Sequence, residues 1–227
     1  MPEDLFDLSG EYDRMLQKGL DLSGESKEFF LRGRVAELRA RLPEDFKPAK
    51  ILDFGCGTGA TTLALAEAFP QAQVTGVDTS EKALAYAREC LLTRNTRFVA
   101  LSGLKTGADF DLAYVNGVFH HIEPENRAAA AKLIWETLRP GGRFSFFENN
   151  PWNLGTRLVM RRIPFDRKAV PISMPEGGRL LEGAGFRVEA ARFLFYFPRP
   201  LAFLRFLEPA LAQLPLGAQY HLQAEKP

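Results

Sequence analysis

The sequence has few cysteines and no long apolar run. Two cysteines, Cys56 and Cys90, are too few for a disulfide framework and indicate reduced thiols. No apolar stretch reaches the roughly 18 residues that a membrane span needs. The polar N-terminus also lacks the basic start and apolar segment of a signal peptide. These absences predict a cytoplasmic protein with no membrane span.

The sequence also lacks an excess of charge of either sign. It contains 29 basic and 28 acidic residues, so its formal net charge is +1. No overall field would attract nucleic acid, and we predict no nucleic-acid partner. At 227 residues and 46% hydrophobic composition, the chain is long enough for one well-buried domain. We expect a monomer or homodimer that acts on a small molecule.

Strands and helices alternate from residue 49 to residue 148. Short apolar strands are predicted at 50–54, 73–77, 97–101, 112–115 and 143–148, with helices at 59–69, 81–92 and 125–138 between them. This order predicts an α/β fold, in which helices cover both faces of a parallel sheet. Residues 1–47 are predicted to be an N-terminal helical cap and residues 48–227 the main domain.

The pattern changes after residue 148. Helices are predicted at 154–162, 176–184 and 201–214, the last one amphipathic, and β-prone segments lie at 186–197 and 218–224. Two late strands, one at the chain end, favour an edge hairpin over further crossovers. Acceptor-side insertions in the main domain are therefore predicted at about 150–180 and 198–217.

A glycine-rich turn joins the first strand to the first helix of this alternation. Gly55, Gly57 and Gly59 allow a tight turn and a close approach of the backbone to a ligand. The following helix offers free N–H groups. With Ala60 the turn also fits the dinucleotide fingerprint, so a nicotinamide-dependent oxidoreductase is an alternative at this point.

Two carboxylates help to choose between a dinucleotide and a cofactor that joins adenosine to methionine. Asp53 ends the first strand, where it suits the cationic amino group of a methionine moiety and would repel a pyrophosphate. Asp78 ends the second strand, where a carboxylate can accept both ribose hydroxyls of an adenosine ligand. Asp78 fits a dinucleotide and an adenosine–methionine cofactor equally well, whereas Asp53 favours the adenosine–methionine cofactor.

The sequence resembles the class I S-adenosylmethionine-dependent methyltransferases in four segments that occur in the family's order and spacing. They are residues 52–59, 76–80, 110–122 and 138–142. The resemblance implies a Rossmann-like three-layer sandwich with a seven-stranded sheet in the order 3-2-1-4-5-7-6, strand 7 being antiparallel. It also implies methyl transfer from S-adenosylmethionine, with S-adenosylhomocysteine as the product.

The resemblance also assigns the cofactor site. Asp53, Gly55 and Gly57 would hold the methionine end, Asp78 the ribose, and Asn116 with Gly117 the sulfonium. Many relatives have an acidic residue after the third strand for the adenine amino group, whereas Ser102 or backbone groups would substitute here. The full set of cofactor-binding candidates is Asp53, Gly55, Cys56, Gly57, Thr58, Gly59, Asp78, Thr79, Ser80, Ser102, Gly103, Asn116, Gly117 and Val118.

Candidate acceptor residues lie after the fourth and fifth strands and in the N-terminal helices. His120 and His121 are the catalytic candidates, as acceptor contacts or as a general base. The candidates for the acceptor pocket are Tyr12, Phe30, Glu148 and Trp152. We predict no metal site.

Three further hypotheses remain beside a small-molecule O or N acceptor. The acceptor could be linked to a lipid or glycan, because a basic cluster lies near an aromatic stretch at 193–197; the cluster comprises Arg157, Arg161, Arg162, Arg167 and Lys168. The chain could also bind the cofactor without catalysis, or use a nicotinamide cofactor. Nucleobase methylation is disfavoured because the Asn-Pro-Trp at 150–152 follows the fifth strand rather than the fourth.

Overall fold

The structure is a computed structural model in which residues 17, 19–107 and 109–227 are described. These residues form one seven-stranded sheet in the order β3-β2-β1-β4-β5-β7-β6. The strands are β1 Lys50–Phe54, β2 Gln73–Asp78, β3 Thr96–Ala100, β4 Phe110–Asn116, β5 Leu138–Asn149, β6 Arg187–Leu194 and β7 Gln219–Glu225. The predicted strand order is confirmed.

The first five strands are parallel, and β7 is antiparallel to both of its neighbours. Most side chains of β1 and β4 are buried, as is usual in strands covered on both faces. The strand order places the late hairpin of β6 and β7 at one edge of the sheet, with β6 outermost. The carboxyl ends of β1, β2, β4 and β5 lie side by side at one end of the strands. This is where α/β sheets bind ligands.

Helices cover both faces of the sheet. They are α1 Lys27–Arg41, α2 Ala60–Ala68, α3 Glu81–Cys90, α4 Arg127–Thr137, α5 Leu154–Arg162, α6 Met174–Ala184 and the short α7 Glu208–Leu211. Their ends follow local sequence signals. Ser80 caps α3 by accepting a hydrogen bond from the Ala83 N–H, and α6 begins with a capping box of Ser173 and Glu176.

Two apolar clusters form the core on either side of the sheet. Ile134 of α4 and Leu181 of α6 pack in one cluster, together with Leu52 of β1. Leu38 of α1 and Leu65 of α2 pack in the other cluster. Ile51, next to Leu52 in β1, belongs to that second cluster, because successive side chains of a strand point to opposite faces.

The prediction of one amphipathic helix over 201–214 is wrong. The structure has a 3-10 segment, Arg199–Leu207, with a non-helical residue at Leu201, followed by the single turn of α7. Pro209 explains the break inside this segment, since it lacks the backbone N–H that a continuous helix needs and here begins a new turn. The preceding strand also ends earlier than predicted, at Leu194, because Phe195 has a φ of +61°.

No helix among the described residues is long and apolar enough to cross a membrane.

Candidate functional site

The glycine turn after β1 has the shape that close approach to a ligand requires. Gly55, Gly57 and Gly59 all have positive φ angles. A side chain on Gly55 would collide with Val118, and one on Gly59 with Phe98, whereas the space above Gly57 is open. The outer glycines therefore allow tight packing, and Gly57 leaves room for a bound molecule.

Asp78 at the end of β2 holds this turn in place. One of its carboxylate oxygens accepts the Gly57 N–H at 2.8 Å, and the other accepts the Ser80 N–H at 2.9 Å. Each oxygen retains a lone pair for a further donor. The carboxylate is thus oriented by the backbone and can accept the two hydroxyls of a ribose.

A cavity of about 400 Å³ opens beside Asp78 and the glycine turn, and we call it the donor cavity. Among its lining residues are Gly55, Gly57, Thr58, Asp78, Thr79, Ser80, Asn116, Gly117 and Val118, nine of the predicted cofactor residues. Leu101 lines it after β3, and Ala130 and Leu133 of α4 add an apolar wall. The cavity combines a hydroxyl-binding carboxylate with apolar walls, and it fits an adenosine group.

The structure places the other five predicted cofactor residues outside the lining of the donor cavity. They are Asp53, Cys56, Gly59, Ser102 and Gly103. After β3 the cavity is lined by Leu101 rather than by the predicted Ser102.

Asp53 lies behind the glycine turn. Its side chain is only 2% exposed and accepts a hydrogen bond from the Thr62 hydroxyl at 2.7 Å. Burial raises the pKa of Asp53 to about 7, against the effect of the Thr62 hydrogen bond and with a contribution from Asp78. Its contact with an amino group of a bound donor stays a prediction.

A second cavity, of about 430 Å³, lies on the other side of the β4 carboxyl end, and we call it the acceptor cavity. Its wall includes Phe29 and Phe30 of α1, Met160 of α5, and Phe195 with Phe197 after β6. The rings of Phe30 and Phe195 meet edge to face, with centroids 5.0 Å apart. Asn116, Gly117 and His121 line both cavities.

Two histidines and two carboxylates are clustered where the cavities meet. His120 Nδ1 is 2.6 Å from Glu148 Oε2, and Glu148 Oε1 accepts the Phe119 N–H at 2.7 Å. Asp166 Oδ1 lies 3.5 Å from His120 Nε2 and 3.3 Å from His121 Nε2. We call His120, His121, Glu148 and Asp166 the histidine–carboxylate cluster.

The carboxylates of this cluster control the charge of His120. Burial lowers the pKa of His120, but the nearby Glu148 and Asp166 outweigh it and raise the pKa to about 10. Burial likewise raises the pKa of Asp166, but its contacts with the two imidazoles outweigh it and keep the pKa below the ordinary value. Positive charge is therefore favoured between the two carboxylates.

The predicted acceptor residues have different positions. Phe30 lines the acceptor cavity, whereas the fully buried Glu148 lies beneath His120, and Tyr12 lies outside the described residues. Trp152 is 50% exposed, points toward Phe193 and is not part of the described lining, so the structure does not support it as a cavity wall. Asn150 is structural, since its amide donates to the Pro215 and Gly217 carbonyls.

Sequence reasoning missed two residues of the acceptor side. Arg34 of α1 is 8% exposed and lines the acceptor cavity; it donates to Gln219, and its Nε has no hydrogen-bond partner among the described residues. Asp166 is 45 residues from His121 in sequence, and only the basic residues around it suggested a function.

The fold and the donor cavity define a Rossmann-like, adenosine-binding α/β domain. A family model described as a methyltransferase domain matches residues 51–142. The trans-aconitate 2-methyltransferase of Deinococcus radiodurans is 42% identical over 107 residues, 47% of this chain and 40% of that protein. The enzyme of the same name from Variovorax paradoxus is 33% identical over 178 residues, 71% of this chain and 66% of that protein.

A solved structure extends the likeness to nearly the whole fold. It is a methyltransferase from Thermotoga maritima described as a possible histamine N-methyltransferase, with a TM-score of 0.71, 20% identity and coverage of 98% of both chains. The chain belongs to the class I S-adenosylmethionine-dependent methyltransferase family. It spans about two fifths to two thirds of the length of the two curated relatives above.

Proposed function

We propose that this chain transfers a methyl group from S-adenosylmethionine to an oxygen or nitrogen atom of a small molecule. One observation carries the proposal: the donor and acceptor cavities share Asn116, Gly117 and His121 as lining residues. Methyl transfer is an in-line displacement, so donor and acceptor must meet at one point. The shared residues supply such a meeting point at the carboxyl end of β4.

The cofactor would supply a methyl group that is already activated on a sulfonium, and the protein's main tasks are positioning and the exclusion of water. Asp78 would orient the ribose, because the Gly57 and Ser80 amides fix its carboxylate. The Asn116 Oδ1 is buried without a hydrogen-bond partner among the described residues. It suits a polar or cationic group at the junction of the cavities.

We assign different roles to the two histidines. His121 lines both cavities, and it would contact the acceptor atom or its proton. His120 is held by Glu148, and at a pKa of about 10 its imidazole would be protonated at neutral pH in the metal-free chain. A protonated imidazole cannot accept a proton, so His120 is a positioning residue rather than a general base.

The chemistry of the acceptor cavity supports an acceptor with an apolar body and one anionic group. Aromatic rings from α1 and from the segment after β6 supply the apolar wall. The unpaired Nε of Arg34 suits a carboxylate or phosphate. The curated relatives are named for trans-aconitate, which also carries anionic carboxylates.

A lipid- or glycan-linked acceptor is the second candidate. Leu154 and Leu158 of α5 are 77% and 45% exposed, and Arg157 and Arg161 lie on the same helix. This combination of apolar and basic groups suits an anionic, lipid-bearing acceptor. Turnover of a lipid-linked acceptor should fall in the double variant Arg161→Glu, Arg162→Glu; unchanged turnover would remove the support for this candidate.

The decisive experiment has two arms. Calorimetry with S-adenosylhomocysteine should give one binding site per chain, and binding of a nicotinamide nucleotide instead would contradict the proposal. Labelled S-adenosylmethionine should then transfer its methyl group to a component of a carboxylate-rich metabolite library, detected by mass spectrometry. Cofactor binding with no transfer to any member of a broad library would favour a non-catalytic binding protein.

A further inference from the structure

The space between His120, His121 and Asp166 has the dimensions of a metal site. One ring nitrogen of each histidine and one carboxylate oxygen of Asp166 all lie within 4.8 Å of one another. A metal with bonds of about 2.0–2.2 Å and bond angles of about 90–109° places neighbouring ligand atoms roughly 2.8–3.6 Å apart. The two distances to Asp166 Oδ1, 3.3 and 3.5 Å, fall within that range.

The carboxylate oxygen at the centre of this arrangement lies 3.3–3.5 Å from the two imidazoles, but neither contact has the geometry of a hydrogen bond. Asp166 is 7% exposed, and its Oδ1 has no hydrogen-bond partner among the described residues. A buried carboxylate oxygen without a hydrogen bond is costly. A cation placed between Asp166 and the two imidazoles would satisfy it.

Glu148 completes the arrangement from the other side. Its contact with His120 Nδ1, at 2.6 Å, leaves Nε2 as the ring nitrogen that faces Asp166. A carboxylate behind a histidine is the usual way in which proteins orient a metal-binding imidazole and raise its basicity. Glu148 is itself fixed, because it also accepts the Phe119 N–H.

We propose that His120, His121 and Asp166 bind a divalent transition-metal ion at the junction of the two cavities. Two imidazoles and one carboxylate favour Zn²⁺, Fe²⁺ or Co²⁺ over Mg²⁺ or Ca²⁺, which prefer all-oxygen ligands. This departs from the expectation of no metal site. All three ligands line the acceptor cavity, so the remaining coordination positions face it.

The metal also gives the acceptor a second anchor, a role that rests on the proposed function. An acceptor oxygen on the ion would be polarised and held next to the donor cavity, as a Lewis acid holds a hydroxyl or carboxylate. Arg34 would bind an anionic group elsewhere in the same cavity. Metal binding itself requires no methyl transfer and is measured separately.

The test uses the full chain without an affinity tag, in a Cys90→Ser background, because Cys90 is the exposed thiol. The chain contains only three histidines, so competing imidazole sites are few. The chelator-treated protein is titrated with ZnCl₂ by calorimetry and with CoCl₂ by visible absorption. One ion per chain is expected, with absorption bands of nitrogen- and oxygen-bound Co²⁺.

Three variants test the ligand assignment. Asp166→Asn should weaken Zn²⁺ binding by more than Glu148→Gln, for which about 10–100-fold is expected because Glu148 only positions His120. Asp109→Asn is the matched control, since Asp109 pairs with Lys50 at the surface, and it should bind Zn²⁺ like the parent. Binding that is unaffected by Asp166→Asn would overturn the proposal.

S-adenosylhomocysteine binding is measured on the same samples. It shows that each variant is folded, and it separates the two proposals. Cofactor binding without any uptake of Zn²⁺ or Co²⁺ would overturn the metal site while leaving the proposed function. Metal uptake without cofactor binding would support the metal site and contradict the proposed function.

Discussion

The His120 imidazole and the Glu148 carboxylate form a buried contact beneath the junction of the two cavities. Nδ1 and Oε2 are 2.6 Å apart, and the two side chains are 3% and 0% exposed. A buried pair of this kind positions the imidazole firmly. Loss of either side chain leaves the other buried without its ionic partner and without water.

Glu148→Gln should therefore lower the free energy of unfolding by about 1.5–3 kcal/mol, the range for hydrogen bonds that involve a charged group. Urea unfolding of the metal-free protein measures it. Glu28→Gln is the matched control, because Glu28 is half exposed and pairs with the exposed Arg32 on the same helix, a contact that solvent screens strongly. Equal effects of the two substitutions would contradict the buried role of Glu148.

Asp78→Ala should weaken the binding of S-adenosylhomocysteine at least about tenfold. The substitution removes both the ribose acceptor and the carboxylate that orients the Gly57 and Ser80 amides, and a charge-assisted hydrogen bond contributes roughly 1.5–3 kcal/mol. Calorimetry at constant salt checks it. Asp109→Ala, on a surface carboxylate at the start of β4, should leave the affinity unchanged.

Donor binding should depend on pH through Asp53. Its pKa is raised to about 7 by burial, so it is mostly protonated at pH 5 and mostly ionised at pH 8. If the ionised form attracts the donor's ammonium group, affinity for S-adenosylhomocysteine rises with pH by up to about tenfold per unit below pH 7 and levels off above it. Asp53→Asn should flatten this profile; an equal slope in both proteins would refute the role.

The same shift has an opposite effect on the stability of the unliganded chain. An acid whose folded-state pKa is raised binds its proton more tightly in the folded state, so its protonated form favours folding. The contribution of Asp53 to the free energy of unfolding should therefore decrease as the pH rises from about 4 to about 7. Comparing parent and Asp53→Asn by urea unfolding at pH 5 and pH 8 isolates it.

Arg34→Met should raise the KM of an anionic acceptor by about tenfold or more and leave the affinity for S-adenosylhomocysteine unchanged. Methionine retains much of the apolar stem but removes the guanidinium in the acceptor cavity. Steady-state kinetics on the first acceptor identified by mass spectrometry measures the change. Arg32→Met, on the exposed side of α1, is the control, and an equal loss there would argue against a specific anchor.

Predictions from sequence were accurate where the signal was local. The glycine turn lies directly between β1 and α2, and Asp78 ends β2, so spacing in the chain defines their positions in space. The order of the strands followed from the resemblance, and the edge hairpin from two late β-prone segments. The prediction of a helix over 201–214 failed because apolar periodicity was given more weight than Pro209.

The acceptor side was harder to predict because its contacts join distant parts of the chain. Arg34 and its partner Gln219 are 185 residues apart. Glu148 was chosen because it ends the predicted fifth strand and Trp152 because it follows that strand, yet Trp152 is half exposed and Glu148 fully buried. Neither composition nor periodicity specifies which long side chain becomes buried in such a cavity.

The sequence by itself determined the α/β class and most of the donor site, because strand–turn–helix geometry places Gly57 and Asp78 through short-range spacing. Only the tertiary structure decided the acceptor cavity and the histidine–carboxylate cluster. There α1, the β4 and β5 ends and the segment around Asp166 converge. Their contacts depend on how packed elements meet across the sheet, and that information is spread over the whole chain.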